Sequence, residues 1–382
     1  MTRLARRPTL RRIVLAYTGS ATTTVAIRWL ADRYGAEVVT LTLDLGQGAG
    51  LETVRDRALA AGARRAHVVD AREEFARDFI VPALCAGAVR GDGDPLLTAL
   101  SRPVIARHLV EVATIEDADA LAHGCSGHEP DARRFETLLH ALRPALTVLA
   151  PARDWRLTPV ELARRARQYG LAVSAPGACD VHHNLWGRTA EPGPAAVNDT
   201  AAAAAGDREV YVLTRSPSAA PDLPANVEVS FQEGVPVAVN GVALPLVELI
   251  SSVQTIAGTH GVGRIAASPA PDGARPLTIE APAATVLHEA HRALQRSVVP
   301  PDLADSARER EATYVDLVAT GGWFSAEREA GDAFVARVQK HVTGTARLKL
   351  FKGRSEVVEC RSPFALRVPA SPPASEAVGS RS

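Results

Sequence analysis

Arg12-Ile13-Val14-Leu15-Ala16-Tyr17-Thr18-Gly19-Ser20-Ala21-Thr22-Thr23-Thr24 sets an unbroken apolar run against a small, hydroxyl-rich turn. Ile13 to Ala16 shows no alternation and reads as a strand buried on both faces. Ala21 to Arg33, with Val25, Ile27, Trp29 and Leu30 among its apolar positions, reads as the helix that follows. An open parallel sheet binds ligands beyond the carboxyl ends of its strands, and the first such loop is a favoured place. A turn of this composition presents backbone N–H groups and the positive end of a helix dipole to an anion, so phosphate is the candidate ligand. The competing reading is a helix cap and tight turn with no ligand.

Outward from this stretch the pattern repeats. Val38–Leu43, Ala66–Val69, Ala120–Ala122 and Leu146–Ala150 read as further strands, and Leu51 to Ala61 as a helix stopped by Gly62. Strands spaced by helices imply βαβ units and a parallel sheet covered on both faces. Thr158-Pro159-Val160-Glu161 combines a hydroxyl cap, a proline and a glutamate three residues after the cap, so it starts a helix that runs to Gly170. Glu191 to Gly206 is rich in Pro, Ala and Gly and reads as a loose excursion. Beyond it, strands are expected at Glu209–Thr214, Val227–Phe231 and Val235–Val239, the last with an Asn240-Gly241 turn. Helices follow at Leu246–Ala257 and Ala283–Leu294, and Leu348–Phe351 with Val357–Cys360 make a closing hairpin. The expected organisation is a basic tail over 1–11, a nucleotide-binding α/β domain over 12–170, an α+β domain over 171–366 and a disordered tail over 367–382.

Composition bounds the function. With 43 basic and 43 acidic residues the chain has no overall field to draw in nucleic acid or an anionic membrane, so no partner of either kind is expected. Hydrophobic residues at 46% and charged residues at 23% describe a soluble, folded protein. No run approaches the ~20 apolar residues of a membrane span. Cys85, Cys125, Cys179 and Cys360 are widely spaced and read as reduced thiols of a cytoplasmic protein.

The opening stretch, together with Tyr34-Gly35-Ala36-Glu37-Val38-Val39 and Asp44-Leu45-Gly46-Gln47-Gly48, resembles the start of argininosuccinate synthase. The likeness continues through Asp70 to Phe75, His123-Gly124-Cys125, Glu233 to Val237, Ala257 to Arg264, Glu280 to Leu287 and Val342 to Thr345. It runs in order from about Arg12 to Leu366. The resemblance implies an ATP-pyrophosphatase-type (adenine nucleotide alpha hydrolase-like) parallel-sheet domain followed by an α+β synthetase-like domain, usually in a homotetramer. It also implies a cytoplasmic ligase of arginine biosynthesis that joins citrulline to aspartate and uses ATP, with Mg where the nucleotide loop is functional.

Carried over by position, the resemblance places the nucleotide at Ala16, Tyr17, Thr18, Gly19, Ser20, Thr22, Thr23, Thr24, Leu43 and Gly124. It places the amino-acid substrates at Ser126, Asp131, Arg134 and Thr189. Several positions depart from the family pattern. Ser20 replaces a glycine, whose freedom of φ or close backbone approach the loop would need. Thr22 replaces an acidic residue, and Leu43 replaces an alanine against the adenine and would narrow that slot. Pro130 stands for an asparagine, His128 for a lysine, Asp94 for a tyrosine, and Ala99 and Asp180 for serines. A site built to hydrogen-bond its substrate loses roughly 1–3 kcal/mol per buried partner left unpaired.

The expectation is therefore a synthase-like protein degenerate in the parent ligation, with no catalytic residue assigned, which is a homo-oligomer or assembles with a related synthase subunit. One alternative is an ATP-dependent carbon–nitrogen ligase with another acceptor. A second is a metal- or small-molecule-binding protein that uses Cys179, His182, His183 and His128 in two altered loops. His288 and His291 are expected at the surface of their helix.

Overall fold

The computed structural model describes residues 10–48, 50–91, 93–125, 130–155, 157–171, 179–192, 211–266 and 278–366. The chain opens with β1 (Arg12–Ala16), α1 (Ala21–Tyr34), β2 (Glu37–Asp44), α2 (Leu51–Ala60) and β3 (Arg65–Asp70). A helical stretch of α3 (Arg72–Phe75), a wider turn over Ala76–Ile80 and α4 (Val81–Cys85) leads to the long α5 (Leu97–Ile115). Then come β4 (Ala120–Ala122), α6 (Pro130–Leu142), β5 (Thr147–Leu149), α7 (Pro151–Trp155) and α8 (Pro159–Gln168).

The five strands form one parallel sheet in the order β3-β2-β1-β4-β5. The β1 residues explain its central place. Ile13 and Leu15 pack with Ile27 and Leu30 on one face, Val14 packs with Leu41 and Leu121 on the other, and none of the three β1 side chains is exposed. Helices on both faces require this unbroken apolar run. The Thr158 cap forms as a reciprocal box: the Thr158 N–H donates to Glu161 Oε2 at 2.8 Å, and the Glu161 N–H donates to Thr158 Oγ1 at 3.3 Å.

The second half supplies β6 (Cys179–Asn184), β7 (Gly187–Pro192), β8 (Ala225–Gln232), β9 (Val235–Val239), β10 (Val242–Ala243), α9 (Leu246–Thr259), β11 (Arg264–Ala266) and β12 (Thr278–Glu280). It ends with α10 (Pro282–Val298), α11 (Pro301–Thr320), α12 (Ala326–Gln339), β13 (Gly344–Phe351) and β14 (Arg354–Arg361). Two antiparallel sheets result, ordered β11-β12-β7-β6 and β10-β9-β8-β13-β14. The Asn240-Gly241 turn takes φ of 51° and 78°, as a tight two-residue hairpin requires.

Three expectations need correction. Residues 211–214 are not a strand, because the N–H groups of Val212, Leu213 and Thr214 each donate to the Glu280 carboxylate at 2.9 Å instead of to a ladder. His291 is 2% exposed, with its Nε2 2.8 Å from Gln339 Oε1, and His288 is half-buried edge-on to Trp186, so neither lies free on the surface. His291 sits on the face of α10 that packs inward, and His288 lies at the edge of that face. Cys179 to His183 is not a loop but the edge strand β6. Residues 209–210, most of the excursion after Glu191 and both termini lie outside the described residues. Among those described, no helix is long and apolar enough to cross a membrane.

Candidate functional site

After β1 the chain moves to β2 and β3 on one side and only later returns to β4 on the other, so the strand order reverses between β1 and β4. A crevice opens at such a switch point, beyond the carboxyl ends of the strands. Tyr17 to Thr24 and His123 to Cys125 border it. Half-buried Ala16 ends β1. The Tyr17 N–H donates to Leu41 O at 2.8 Å, Thr42 Oγ1 donates to Tyr17 O at 2.9 Å, and the Tyr17 hydroxyl lies 3.0 Å from Thr24 Oγ1. These bonds tie the start of the loop to β2.

Gly19 holds φ at +77°, and the Arg57 guanidinium donates to its carbonyl at 2.6 Å. Ser20 corrects the expectation that its position needs a glycine. Its φ is −66°, in extended backbone open to any residue, and it caps α1 by accepting the Thr23 N–H at 3.3 Å. The Thr23 hydroxyl stands 3.3 Å from Thr18 Oγ1 and 3.1 Å from Ser20 Oγ, so three hydroxyls share one small space. Thr22 is half-buried, and the first turn of α1 contains no acidic residue. Leu43, 6% exposed, packs in the same core cluster as Leu45, Ala71 and Phe75.

The two loops touch. A Cβ on Gly124 would lie 2.6 Å from the Thr23 methyl, which is inside any van der Waals contact. Beside Gly124, His123 stacks on Phe135 with ring centroids 5.6 Å apart, and burial pushes its imidazole down to about 4. Ser126 and His128 lie outside the described residues. Asp131 and Arg134 begin α6, buried and bonded to each other, and Arg134 Nε donates to Ala319 O at 2.8 Å. Arg102 from α5 also reaches Asp131, at 2.5 Å. Burial alone would raise the Asp131 carboxyl, but Arg102, Arg134 and His182 outweigh it and hold the group below the ordinary carboxylate range.

Sequence reasoning missed Arg102. It stands 29 residues before Asp131, and no local pattern marks an arginine within a helix as the partner of a distant carboxylate. Asp94 is likewise placed by structure: its carboxylate accepts the Leu96 N–H at 2.8 Å and pairs with Arg90 at 3.0 Å.

His182 lies directly across from Thr189 in the β6–β7 ladder, and Thr189 is 4% exposed. The charge of His182 is felt at Asp131, so β6 and the start of α6 are neighbours. His183 pairs with Arg188 instead, and successive strand residues point to opposite faces, so the two histidines cannot grip one ion together. Among the described residues no three His, Cys, Asp or Glu side chains form a group able to hold a metal.

Two family models match the chain. The argininosuccinate synthase N-terminal HUP domain covers residues 12–172, and the argininosuccinate synthase C-terminal domain covers residues 180–369. Among curated relatives, the argininosuccinate synthase of Rubrobacter xylanophilus is 43% identical over 93% of this chain and 87% of its own length. That of Acaryochloris marina is 42% identical over 94% and 90%, and that of Geobacillus kaustophilus 40% over 93% and 87%. A parallel sheet with its crevice between β1 and β4, and similarity that runs through both halves, lead to one conclusion: this chain belongs to the argininosuccinate synthase family.

Proposed function

We propose that the chain is an argininosuccinate synthase-like protein that keeps the family's adenine-nucleotide scaffold and is degenerate in the parent ligation of citrulline with aspartate. The observation that carries this reading is the Arg102–Asp131–Arg134 cluster. Asp131 and Arg134 occupy positions where the resemblance puts substrate, yet they are bonded to each other, and Arg134 is tied to Ala319 as well. Asp94, in place of a tyrosine, spends its carboxylate on the start of α5. Each substrate group left without a buried partner costs roughly 1–3 kcal/mol. The test is pyrophosphate release from ATP with magnesium, citrulline and aspartate, and argininosuccinate followed by mass spectrometry. No product above background is expected. Turnover within about tenfold of a family synthase assayed alongside overturns the reading.

One observation favours a second reading, an ATP-dependent carbon–nitrogen ligase with a different acceptor. The loop after β1 suits a phosphate: a capped helix N-terminus, Gly19 at positive φ, and the Thr18, Ser20 and Thr23 hydroxyls gathered together. ATP would rest its phosphates on those three hydroxyls, and Thr189 would face the acceptor. With no acid in the first turn of α1, Mg would be held by the nucleotide's own oxygens. Exchange of labelled pyrophosphate into ATP that depends on one amino acid or amine supports this reading, and absence of exchange across the panel removes it. By the same family reasoning the chain divides near residue 170 and forms a cytoplasmic homo-oligomer, and sedimentation of the purified protein checks the oligomer.

A further inference from the structure

A cavity of about 560 Å³ that shares no lining residue with the loops of the β1–β4 crevice lies between one face of α10, the segment around Gly93 and Pro95, and strand β14. This volume falls within the ~300–1,000 Å³ that small-molecule sites occupy. Its lining is of two kinds. Val89, Ile265 and Val357 are apolar. His288, Glu289, Arg292 and Arg296 from α10, with Ser355 from β14, are polar. Positions 288, 292 and 296 recur every fourth residue, so helical geometry lines them along one face.

The polar lining has unmet hydrogen-bonding capacity. His288 Nε2 is buried with no hydrogen-bond partner, and Glu289 Oε2 and Ser355 Oγ are buried with no partner but a loose contact with each other. Buried polar atoms left so poorly bonded are uncommon in folded proteins, and a cluster of them around one cavity calls for a physical reason. The terminal torsions of His and Glu are broad, so modest rotations turn these atoms towards an occupant. Burial favours the uncharged form of His288 and of Glu289, which makes the inner end polar but without fixed charge. Arg292 and Arg296 stand exposed at the rim. Arg292 is shared with Glu311 at 3.6 Å, whereas Arg296 has no ion-pair partner among the described residues.

We propose that this cavity binds a small organic anion: the anionic group on Arg296, an adjacent hydrogen-bonding group on His288, Glu289 and Ser355, and an apolar body against Val89, Ile265 and Val357. A carboxylate and a phosphate group share the required charge. Calorimetry on the full chain distinguishes them with three probes: N-acetylleucine, its uncharged amide and inorganic phosphate. N-Acetylleucine is expected to bind one to one, the amide at least about tenfold more weakly, and Arg296→Gln to weaken the acid by a similar factor. Arg296 is exposed, so this variant keeps the fold. Phosphate binding that Arg296→Gln abolishes, with no binding of the acid, upholds the anion site and makes its ligand a phosphate. Val357→Trp, at a half-buried apolar lining position, is expected to abolish binding of whichever probe binds. The proposal is overturned if no probe binds at roughly 10 mM, or if binding survives both variants unchanged.

Discussion

Asp131→Asn tests whether the Arg102–Asp131–Arg134 cluster is an electrostatic keystone. The three side chains are only 10–12% exposed, and Asp131 is bonded to both arginines. Removing its charge takes away the carboxylate that lies between two guanidinium groups. Loss of one member of a buried ion pair costs about 3–5 kcal/mol, and that loss is expected at pH 7. The sign with pH follows from linkage. The folded Asp131 carboxyl is held below its ordinary value, so its contribution is present above about pH 4 and disappears as pH falls through the folded value. Urea unfolding of wild type and variant, in steps from pH 7 to pH 3, should show a gap that narrows in acid. Other titrating groups are common to both proteins and cancel in the difference. A gap below about 1 kcal/mol at pH 7, the range of an exposed pair, refutes the reasoning. So does a gap that stays constant down to pH 3.

The remaining predictions concern other parts of the molecule. His123 and His291 are both held near 4 by burial, so the unfolded chain takes up their protons first as pH falls below about 6.5. Stability should drop by up to about 1.4 kcal/mol per pH unit for each histidine between pH 6.5 and 4, and the double variant His123→Asn/His291→Gln should flatten that limb in denaturant titrations. Gly263→Ala puts a Cβ 2.5 Å from the Pro282 backbone at a φ of +95°, so a loss of at least about 2 kcal/mol in urea unfolding is expected. Gly124→Ala should cost about 1–3 kcal/mol through its clash with the Thr23 methyl. Adding Thr23→Ser deletes that methyl and keeps the hydroxyl, so the double variant should recover most of the loss, as a double-mutant cycle will show.

What could be read from the residues followed physical rules that act over a few positions. Ile13 to Leu15 announces a strand covered on both faces, and Thr158 to Glu161 announces a capped helix, because each motif completes its own bonding locally. Asn240-Gly241 does the same for a hairpin. The start of α5 is illegible for the opposite reason. Leu96 sits there at a φ of 59° with no cap of its own, held by the Asp94 carboxylate, and Pro103 falls inside the helix. β6 was hard to read because its Cys-Asp-Val-His-His run holds a single β-branched residue, Val181, among mostly polar neighbours. In the candidate site the turn at Gly19 and the start of α1 after it were legible from composition. The Arg102 contact to Asp131 and the hold of Glu280 on residues 212–214 were not, because they join positions 29 and more than 60 residues apart.

The contrast between Glu280 and Asp131 separates scaffold from site. Glu280 is fully buried, pairs with Arg188 at 3.3 Å, and accepts three backbone N–H groups and the Thr214 hydroxyl, so every feature of its surroundings is met from within the chain. It holds one strand end and one connecting segment in place and needs nothing from outside. Asp131 is also satisfied from within, but it lies at the head of α6 beside the crevice, with two cations around one carboxylate. Cations held at a buried carboxylate beside a crevice would also meet an incoming anion. If the cluster serves only the fold, Arg102→Met should lower stability and leave aspartate binding where it was. If it also serves a ligand, the same variant should lower stability and lose affinity for a carboxylate such as aspartate. Stability and aspartate binding measured side by side on Arg102→Met therefore distinguish a retired substrate site from one still in use.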